Sequence, residues 1–126
     1  MPNHRIAVVN TEPTLLNLLH ELLTDSGYAV TTYLITADTY EQLCQAQPAL
    51  VLLDVGLGAA AAGWPLLKLL QLDPKTAQIP ILITTVDHVV VVEKAALLRE
   101  QGCDILELPV RFEEVHRRIK MLLDPQ

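Results

Sequence analysis

The sequence predicts an α/β domain in which a parallel five-stranded sheet carries helices on both faces. Short apolar segments alternate five times with segments of helical periodicity, and only a few residues separate one from the next. Parallel strands need crossover connections, and each crossover here has the length and pattern of a helix. A length of 126 residues suits one core, so we predict a single domain over residues 1–126, with a doubly wound sheet of order 2-1-3-4-5.

The first quarter of the chain begins with an apolar strand at residues 6–9. The turn Asn10-Thr11-Glu12-Pro13 follows, and polar residues before a proline are typical of a helix start. Leucines then recur at helical spacing between residues 15 and 23, and Gly27 offers a left-handed stop. Residues 28–33 are rich in β-branched and aromatic side chains, which predicts the second strand.

The middle of the chain contains the most apolar strand. A weakly patterned helix is predicted over residues 36–47, and residues 48–54 then carry five consecutive apolar side chains. Because a strand exposed on one face would alternate polar with apolar residues, we expect this strand to be buried on both faces. A leucine-rich helix then runs to about Leu72, and residues 79–84 predict the fourth strand.

The last part of the chain supplies two more helices and the fifth strand. Residues 89–101 place charges at helical spacing and end before Gly102, but four consecutive valines are poor helix formers and predict a late or mobile start. Residues 105–108 predict the fifth strand. The apolar stripe of a final helix follows, formed by Phe112, Val115, Ile119 and Leu122.

Composition limits the class of protein and its partners. The net charge of −6 opposes contact with nucleic acid or anionic lipid, so a protein partner is expected. Acidic residues, glycines and prolines interrupt the long apolar stretches, and no membrane span is predicted. Cys44 and Cys103 are far apart and unpatterned, and the amino terminus lacks a signal-type segment, so we expect a reduced, cytoplasmic protein.

Asp54 closes the most apolar strand. In an open parallel sheet, functional groups gather beyond the carboxyl ends of the strands, so chemistry or ligand binding is expected at this acid. The alternative is an aspartate that caps the turn after the strand. The histidines form no pair at ligand spacing and no nucleophile–base set can be assembled, so neither a metal site nor an enzyme is predicted.

Four landmarks in order resemble the response regulator receiver domain of two-component signalling. They are the polar turn at residues 10–13, Asp54, Thr85 closing strand four, and Gly102-Cys103-Asp104 followed by Pro109. The resemblance covers nearly the full length and implies a flavodoxin-like (CheY-like) fold. It also implies a protein partner, either a histidine kinase or an output protein.

The resemblance gives Asp54 the position of the phosphoacceptor and Thr85 that of the switch hydroxyl. In the family, an acidic pair after strand one holds magnesium, and a lysine before the proline after strand five holds a phosphoryl oxygen. Asn10 and Thr11 stand at the acidic pair, which leaves Glu12 as the acid of that turn. The lysine position falls at Leu108, or at Glu107 if the shortening is placed differently.

These departures predict a phosphorylation-deficient pseudo-receiver that acts as an interaction or dimerisation module. The first alternative is a functional receiver that takes phosphate on Asp54, and magnesium is expected as a cofactor only in that case. Thr85 could also serve as a strand-end threonine that satisfies a loop amide. The resemblance further implies a cis bond before Pro109, against the alternative of a trans proline that begins a loop.

A second alternative comes from another class of protein. Gly58 and Gly63 have the outer spacing of a phosphate-binding loop between a strand and a helix, which would suit a small nucleotide- or ligand-binding domain. Trp64 and Pro65 follow, however, where a lysine and a hydroxyl are needed. A flexible apolar loop is therefore the favoured interpretation.

The surplus of apolar residues predicts a partner surface. A homodimer through helix four, strand five and helix five would have an apolar centre and a rim of salt bridges, although a solvated face would fit equally well. The candidate interface residues are Val91, Ala95, Leu98, Arg111, Arg117 and Arg118.

Overall fold

The computed structural model describes residues 4–124, which form a parallel sheet with helices on both faces. The strands are β1 (Arg5–Asn10), β2 (Ala29–Leu34), β3 (Leu50–Asp54), β4 (Ile81–Thr85) and β5 (Cys103–Glu107). The helices are α1 (Pro13–Asp25), α2 (Thr39–Ala46), α3 (Gly63–Leu72), α4 (His88–Glu100) and α5 (Phe112–Leu123), and a 3-10 helix at Gly58–Ala62 immediately precedes α3.

The strand order is β2-β1-β3-β4-β5, and every neighbouring pair is parallel. The predicted α/β architecture and its order are therefore confirmed. The central strand β3 pairs with β1 on one side and β4 on the other, with Asp54 opposite Thr84. This register brings the polar carboxyl ends of three strands to one edge of the sheet.

Two hydrophobic cores lie on opposite faces of the sheet. Val51 and Leu53 pack into the core covered by α2, α3 and α4, whereas Leu50 and Leu52 pack into the core covered by α1 and α5. All four of these β3 side chains are buried. The prediction that this strand is buried on both faces is confirmed, because successive strand residues point to opposite sides.

Several boundaries differ from the prediction. β4 begins at Ile81, because Pro80 has no N–H to donate to the sheet and contributes only its carbonyl, which accepts from the Val51 amide at 3.0 Å. α4 begins at His88, before the valines, and the expected late start is wrong. Val90 is buried in the core, so packing offsets the low helix propensity of the valines.

The predicted interface on α4 is wrong for two of its residues. Ala95 and Leu98 are only 8% and 3% exposed, and Val91 packs partly buried against the same core. The apolar side chains that α4 leaves exposed are instead Val89, Val92 and Leu97. The sequence carried two apolar stripes on this helix, and contact with the sheet selects the one that faces inward.

None of the helices within residues 4–124 is both long and apolar enough to cross a membrane. Cys44 is partly buried and Cys103 is buried, and both are free thiols.

Candidate functional site

Asp54 ends β3 at the edge of the sheet where the polar turns gather, and its side chain is half-buried. The first residue of α3, Gly63, lies directly against its backbone. A Cβ atom at Gly63 would be 2.2 Å from the Asp54 carbonyl oxygen, which no side chain tolerates. The start of α3 therefore lies close to Asp54 because Gly63 has no Cβ atom, and any other residue there would have to displace the Asp54 backbone.

Asp87 joins the two loops that flank Asp54. Its carboxylate Oδ2 accepts a hydrogen bond from the Leu57 amide at 2.8 Å, which connects the β4–α4 loop to the loop after β3. A Cβ atom at Gly56 would be 2.3 Å from the same oxygen. We did not predict Asp87 as a site residue, although an acid between a strand and a helix start is a recognisable signal.

Two threonines, Thr84 and Thr85, end β4 next to Asp54. Thr84 is the β4 register partner of Asp54, and its hydroxyl hydrogen bond lowers the pKa of the Asp54 carboxyl. Thr85 is fully buried, and its Oγ1 accepts a hydrogen bond from the Asp87 amide at 3.1 Å. Thr85 therefore satisfies a loop amide, and its role as the switch hydroxyl stays a prediction.

The surroundings of Asp54 favour its protonated form. Burial is the largest cause and, with the carboxylates of Asp87 and Glu12, it raises the pKa of Asp54 to about 6. The hydrogen bond from Thr84 opposes this shift without cancelling it. Desolvation and neighbouring negative charge both penalise an ionised acid. Both of the charges that shift this pKa are themselves acidic.

In the turn after β1, the side-chain oxygen of Asn10 already accepts hydrogen bonds from the backbone. Asn10 is buried, and its Oδ1 accepts hydrogen bonds from the Thr11 amide at 2.7 Å and the Glu12 amide at 3.0 Å. These bonds fix the entry into α1 in the manner of an Asx turn. The Asn10 side-chain oxygen carries no formal charge and already accepts two hydrogen bonds. It is therefore a poorer ligand for a divalent cation than a carboxylate would be.

Leu108 follows β5 and brings an apolar side chain to the position predicted for the family lysine. Its amide donates to the Thr85 carbonyl at 2.8 Å, and its side chain lines an apolar cavity of about 440 Å³ that also includes Leu52 and Thr84. Glu107, the other candidate for this position, lies 2.9 Å from His88 Nδ1. The Leu108–Pro109 peptide bond is cis.

The donor set does not fit magnesium. In the described part of the chain, no three His, Cys, Asp or Glu side chains come together as a ligand group. Glu12 is exposed at the N-cap of α1, and the Asp87 carboxylate already accepts the Leu57 amide. Magnesium prefers several oxygen ligands in near-octahedral geometry, and this edge of the sheet does not assemble them.

The segment between Gly58 and Gly63 is an ordered 3-10 helix rather than the expected flexible loop. Gly58 has a φ of 60°, which favours glycine, and Gly63 begins α3. The indole of Trp64 donates to the Gly56 carbonyl at 3.2 Å and closes the segment against the strand end. Trp64 therefore occupies the place where a phosphate-binding loop would carry its lysine.

The arginines of α5 are engaged within the chain. Arg117 pairs with Glu114 at 2.6 Å, and Arg118 pairs with both Glu114 and Asp104 at 2.9 Å. Hydrogen bonding from Arg117, followed by Arg118, lowers the pKa of Glu114 to about 2. Arg111, at the N-cap of α5, is exposed. Only Arg111 among the three predicted interface arginines is outside these ion pairs in the described residues.

The fold and this site define a class of protein, the flavodoxin-like α/β domains with an acid at the end of the central strand. The family model described as the response regulator receiver domain matches residues 6–120. The chain belongs to this family, and it is a receiver domain of two-component signalling. Receiver domains are generally signalling modules that interact with proteins such as kinases and output domains, rather than enzymes.

Solved structures agree with this assignment. The chain is similar to the N-terminal domain of a response regulator receiver protein from Methanoculleus marisnigri JR1, at 26% identity and a TM-score of 0.73, covering 98% of both chains. It is also similar to the receiver domain of a histidine kinase from Syntrophus aciditrophicus, at 26% identity and a TM-score of 0.79, covering 95% of this chain and 89% of that one.

A third structure extends the similarity in fold alone. The chemotaxis protein CheY4 of Vibrio cholerae is 19% identical with a TM-score of 0.82, and the alignment covers 97% of this chain and all of that one. Among curated proteins, no sequence matches the chain.

Proposed function

We propose that this receiver domain is a pseudo-receiver, which acts by binding other proteins rather than by magnesium-dependent phosphorylation of Asp54. The observation that carries the proposal is the chemistry around that acid. The charges that shift its pKa are carboxylates, and the position of the family lysine holds Leu108. The family assignment gives the class of domain, and the absence of a cation near Asp54 among the described residues suggests how this member acts.

A phosphoryl group on Asp54 would add negative charge where negative charge is already concentrated. Two like charges about 4 Å apart repel by roughly 4 kcal/mol at an effective dielectric constant near 20. Asp87 and Glu12 both act on Asp54 with this sign. In family members with a complete site, a metal ion and a lysine offset such repulsion, and a leucine cannot replace a charge-assisted hydrogen bond.

Binding activity is supported by the apolar side chains that remain outside the core. Val89 and Val92 are exposed on α4, and Val92 is 69% exposed. A homodimer through α4, β5 and α5 would place these two valines at its centre, in place of the buried Ala95 and Leu98. Arg111 would then be the arginine still free for the rim, and a histidine kinase or an output protein is the alternative partner.

The first test is intact mass spectrometry after incubation with acetyl phosphate and magnesium. In a functional receiver, the phosphoryl group would move to an Asp54 carboxylate oxygen and acetate would leave. We expect no gain of a phosphoryl group in the parent protein, and the Asp54→Ala variant gives the background. A phosphoryl gain in the parent that is absent from Asp54→Ala would overturn the proposal.

A restored variant makes a negative result informative. The combined changes Asn10→Asp, Thr11→Asp and Leu108→Lys return the acidic pair and the lysine that the family carries at these positions. We expect this variant to gain one phosphoryl group under the conditions in which the parent gains none. If the restored protein is folded and still unreactive, the missing acids and lysine are not the cause of the deficiency.

A further inference from the structure

A groove with a volume of about 410 Å³ runs between α3 and α4. Both helices connect parallel strands, so they run in the same direction. α3 contributes four residues at the spacing i, i+3, i+4, i+7, which places them on one face of the helix. They are Trp64, Leu67, Lys68 and Gln71.

The second wall repeats this spacing. α4 and its C-cap contribute Lys94, Leu97, Leu98 and Gln101. The Gln71 Nε2 atom donates to Gln101 Oε1 at 3.2 Å and bridges the two walls at one end of the groove. The groove is therefore a defined channel between two helix faces.

The groove has an apolar floor and basic walls. Leu67 and Leu98 are buried at the floor, while Leu97 is 49% exposed beside them. Lys68 and Lys94 are exposed, one on each wall, and neither takes part in an ion pair within residues 4–124. These two free cations lie in a chain whose net charge is −6.

We propose that this groove binds an acidic amphipathic helix of a partner protein. A helix laid between two parallel helices inserts apolar residues at i, i+3 and i+4 into the floor. Its acidic residues would flank the apolar stripe and form ion pairs with Lys68 and Lys94. The partner is therefore expected to be acidic because each wall of the groove carries a lysine. The inference names the partner chemistry for the binding role proposed above and rests on that role.

The groove is connected to the Asp54 site through Trp64. The Trp64 indole donates to the carbonyl of Gly56, two residues after Asp54. A helix seated in the groove would contact Trp64, which is hydrogen-bonded to the loop that follows Asp54. Occupancy of the groove can therefore be sensed at the Asp54 site without a phosphoryl group.

Fluorescence of Trp64 reports on the groove directly, because it is the only tryptophan in the chain. The probe is a designed peptide of about 15 residues with leucines at helical spacing and glutamates elsewhere. The matched control peptide carries lysine at every glutamate position. We expect a saturable change in Trp64 emission with the acidic peptide and none with the basic one.

Three variants test the contacts separately. Lys68→Glu and Lys94→Glu each replace attraction with repulsion, and we expect each to weaken binding about tenfold. Leu97→Ser should also weaken it, through loss of apolar contact, and the partial exposure of this leucine favours a folded variant. Lys75→Glu, an exposed lysine outside the groove, should leave binding unchanged, and circular dichroism confirms that each variant is folded.

The inference is overturned if the acidic peptide causes no saturable change. Equal binding of the basic peptide, or binding that survives both lysine reversals, would overturn it as well. This experiment and the mass measurement on Asp54 fail independently. A phosphorylated parent that still binds the acidic peptide would remove the pseudo-receiver proposal and retain the groove.

Discussion

Ionisation of the Asp54 carboxyl destabilises the folded protein. Its pKa is raised from 3.8 to about 6, so the folded state holds the proton more tightly than the unfolded state does. Stability therefore falls as pH rises from about 4 to about 6, and the full cost is present above that window. A half-buried acid beside two other carboxylates is thus a source of instability at neutral pH.

The variant Asp54→Asn should be more stable than the parent at about pH 8 and equal to it near pH 4. A shift of two pKa units corresponds to roughly 3 kcal/mol, and solvent screening at this half-buried position reduces the expected gain to about 1 kcal/mol. Urea unfolding at the two pH values measures the difference. Glu93→Gln, on the exposed side of α4, is the control, and a gain for Asp54→Asn that is independent of pH would contradict the assignment.

Single-residue details of this site could be predicted only in part. The strand pattern singled out Asp54, whereas Asn10 and Leu108 were singled out by the family resemblance, which implies an acid and a lysine at their positions. The resemblance named Thr85 and did not reveal that Thr84 is the register partner of Asp54, because adjacent strand residues point to opposite faces and one residue of register decides which threonine lies opposite.

The connection from β3 to α3 is set by close approach of backbone to backbone. Gly63 allows the first turn of α3 to lie against the Asp54 carbonyl, and the 3-10 helix at Gly58–Ala62 takes up the residues between them. The position at which α3 begins therefore depends on Gly63, which has no side chain.

Gly63→Ala should destabilise the protein by about 2–3 kcal/mol, because the added methyl group must displace the Asp54 backbone. Gly58→Ala is the matched control. A Cβ atom there meets nothing within 4 Å, and the cost of a positive φ alone is about 1 kcal/mol. Thermal and urea unfolding of both variants measure the difference. Equal losses for the two would show that the close contact at Gly63 contributes little.

The existence of α4 could be predicted from the sequence pattern, but its buried face could not. The chain predicted a helix near residues 89–101, and the structure places one at His88–Glu100. Its two apolar stripes made the inward face ambiguous, because both satisfy helical periodicity. Packing of Ala95 and Leu98 against the sheet resolved the ambiguity and left Val92 exposed.

At the scale of the whole molecule, one acid joins three consecutive elements. Asp104 on β5 accepts from Arg118 of α5 at 2.9 Å and lies 3.8 Å from Arg99 of α4. The Asp104 side chain is only partly exposed, so its ion pairs are less screened than those of a free surface pair. The α4–β5–α5 face is therefore held together by charges that are satisfied within the chain.

Asp104→Ala should lower the free energy of unfolding by about 1–2 kcal/mol, with the loss reduced at high salt. The change also removes the hydrogen bond that Asp104 Oδ1 accepts from the Ile105 amide at 2.9 Å. Glu100→Ala, an exposed acid outside these ion pairs, is the control for net charge. A salt-independent loss equal to that of the control would show that the network contributes nothing measurable to stability.

The sequence by itself determined the order of the elements, the sheet and the place of Asp54 at the end of its most apolar strand. These follow from periodicity and residue identity, which are properties of neighbours along the chain. Only the tertiary structure decided which threonine lies opposite Asp54, which face of α4 is buried, and that α3 and α4 frame a groove with a lysine on each wall. Those features depend on register and packing between residues distant in sequence, and a local pattern carries no measure of either.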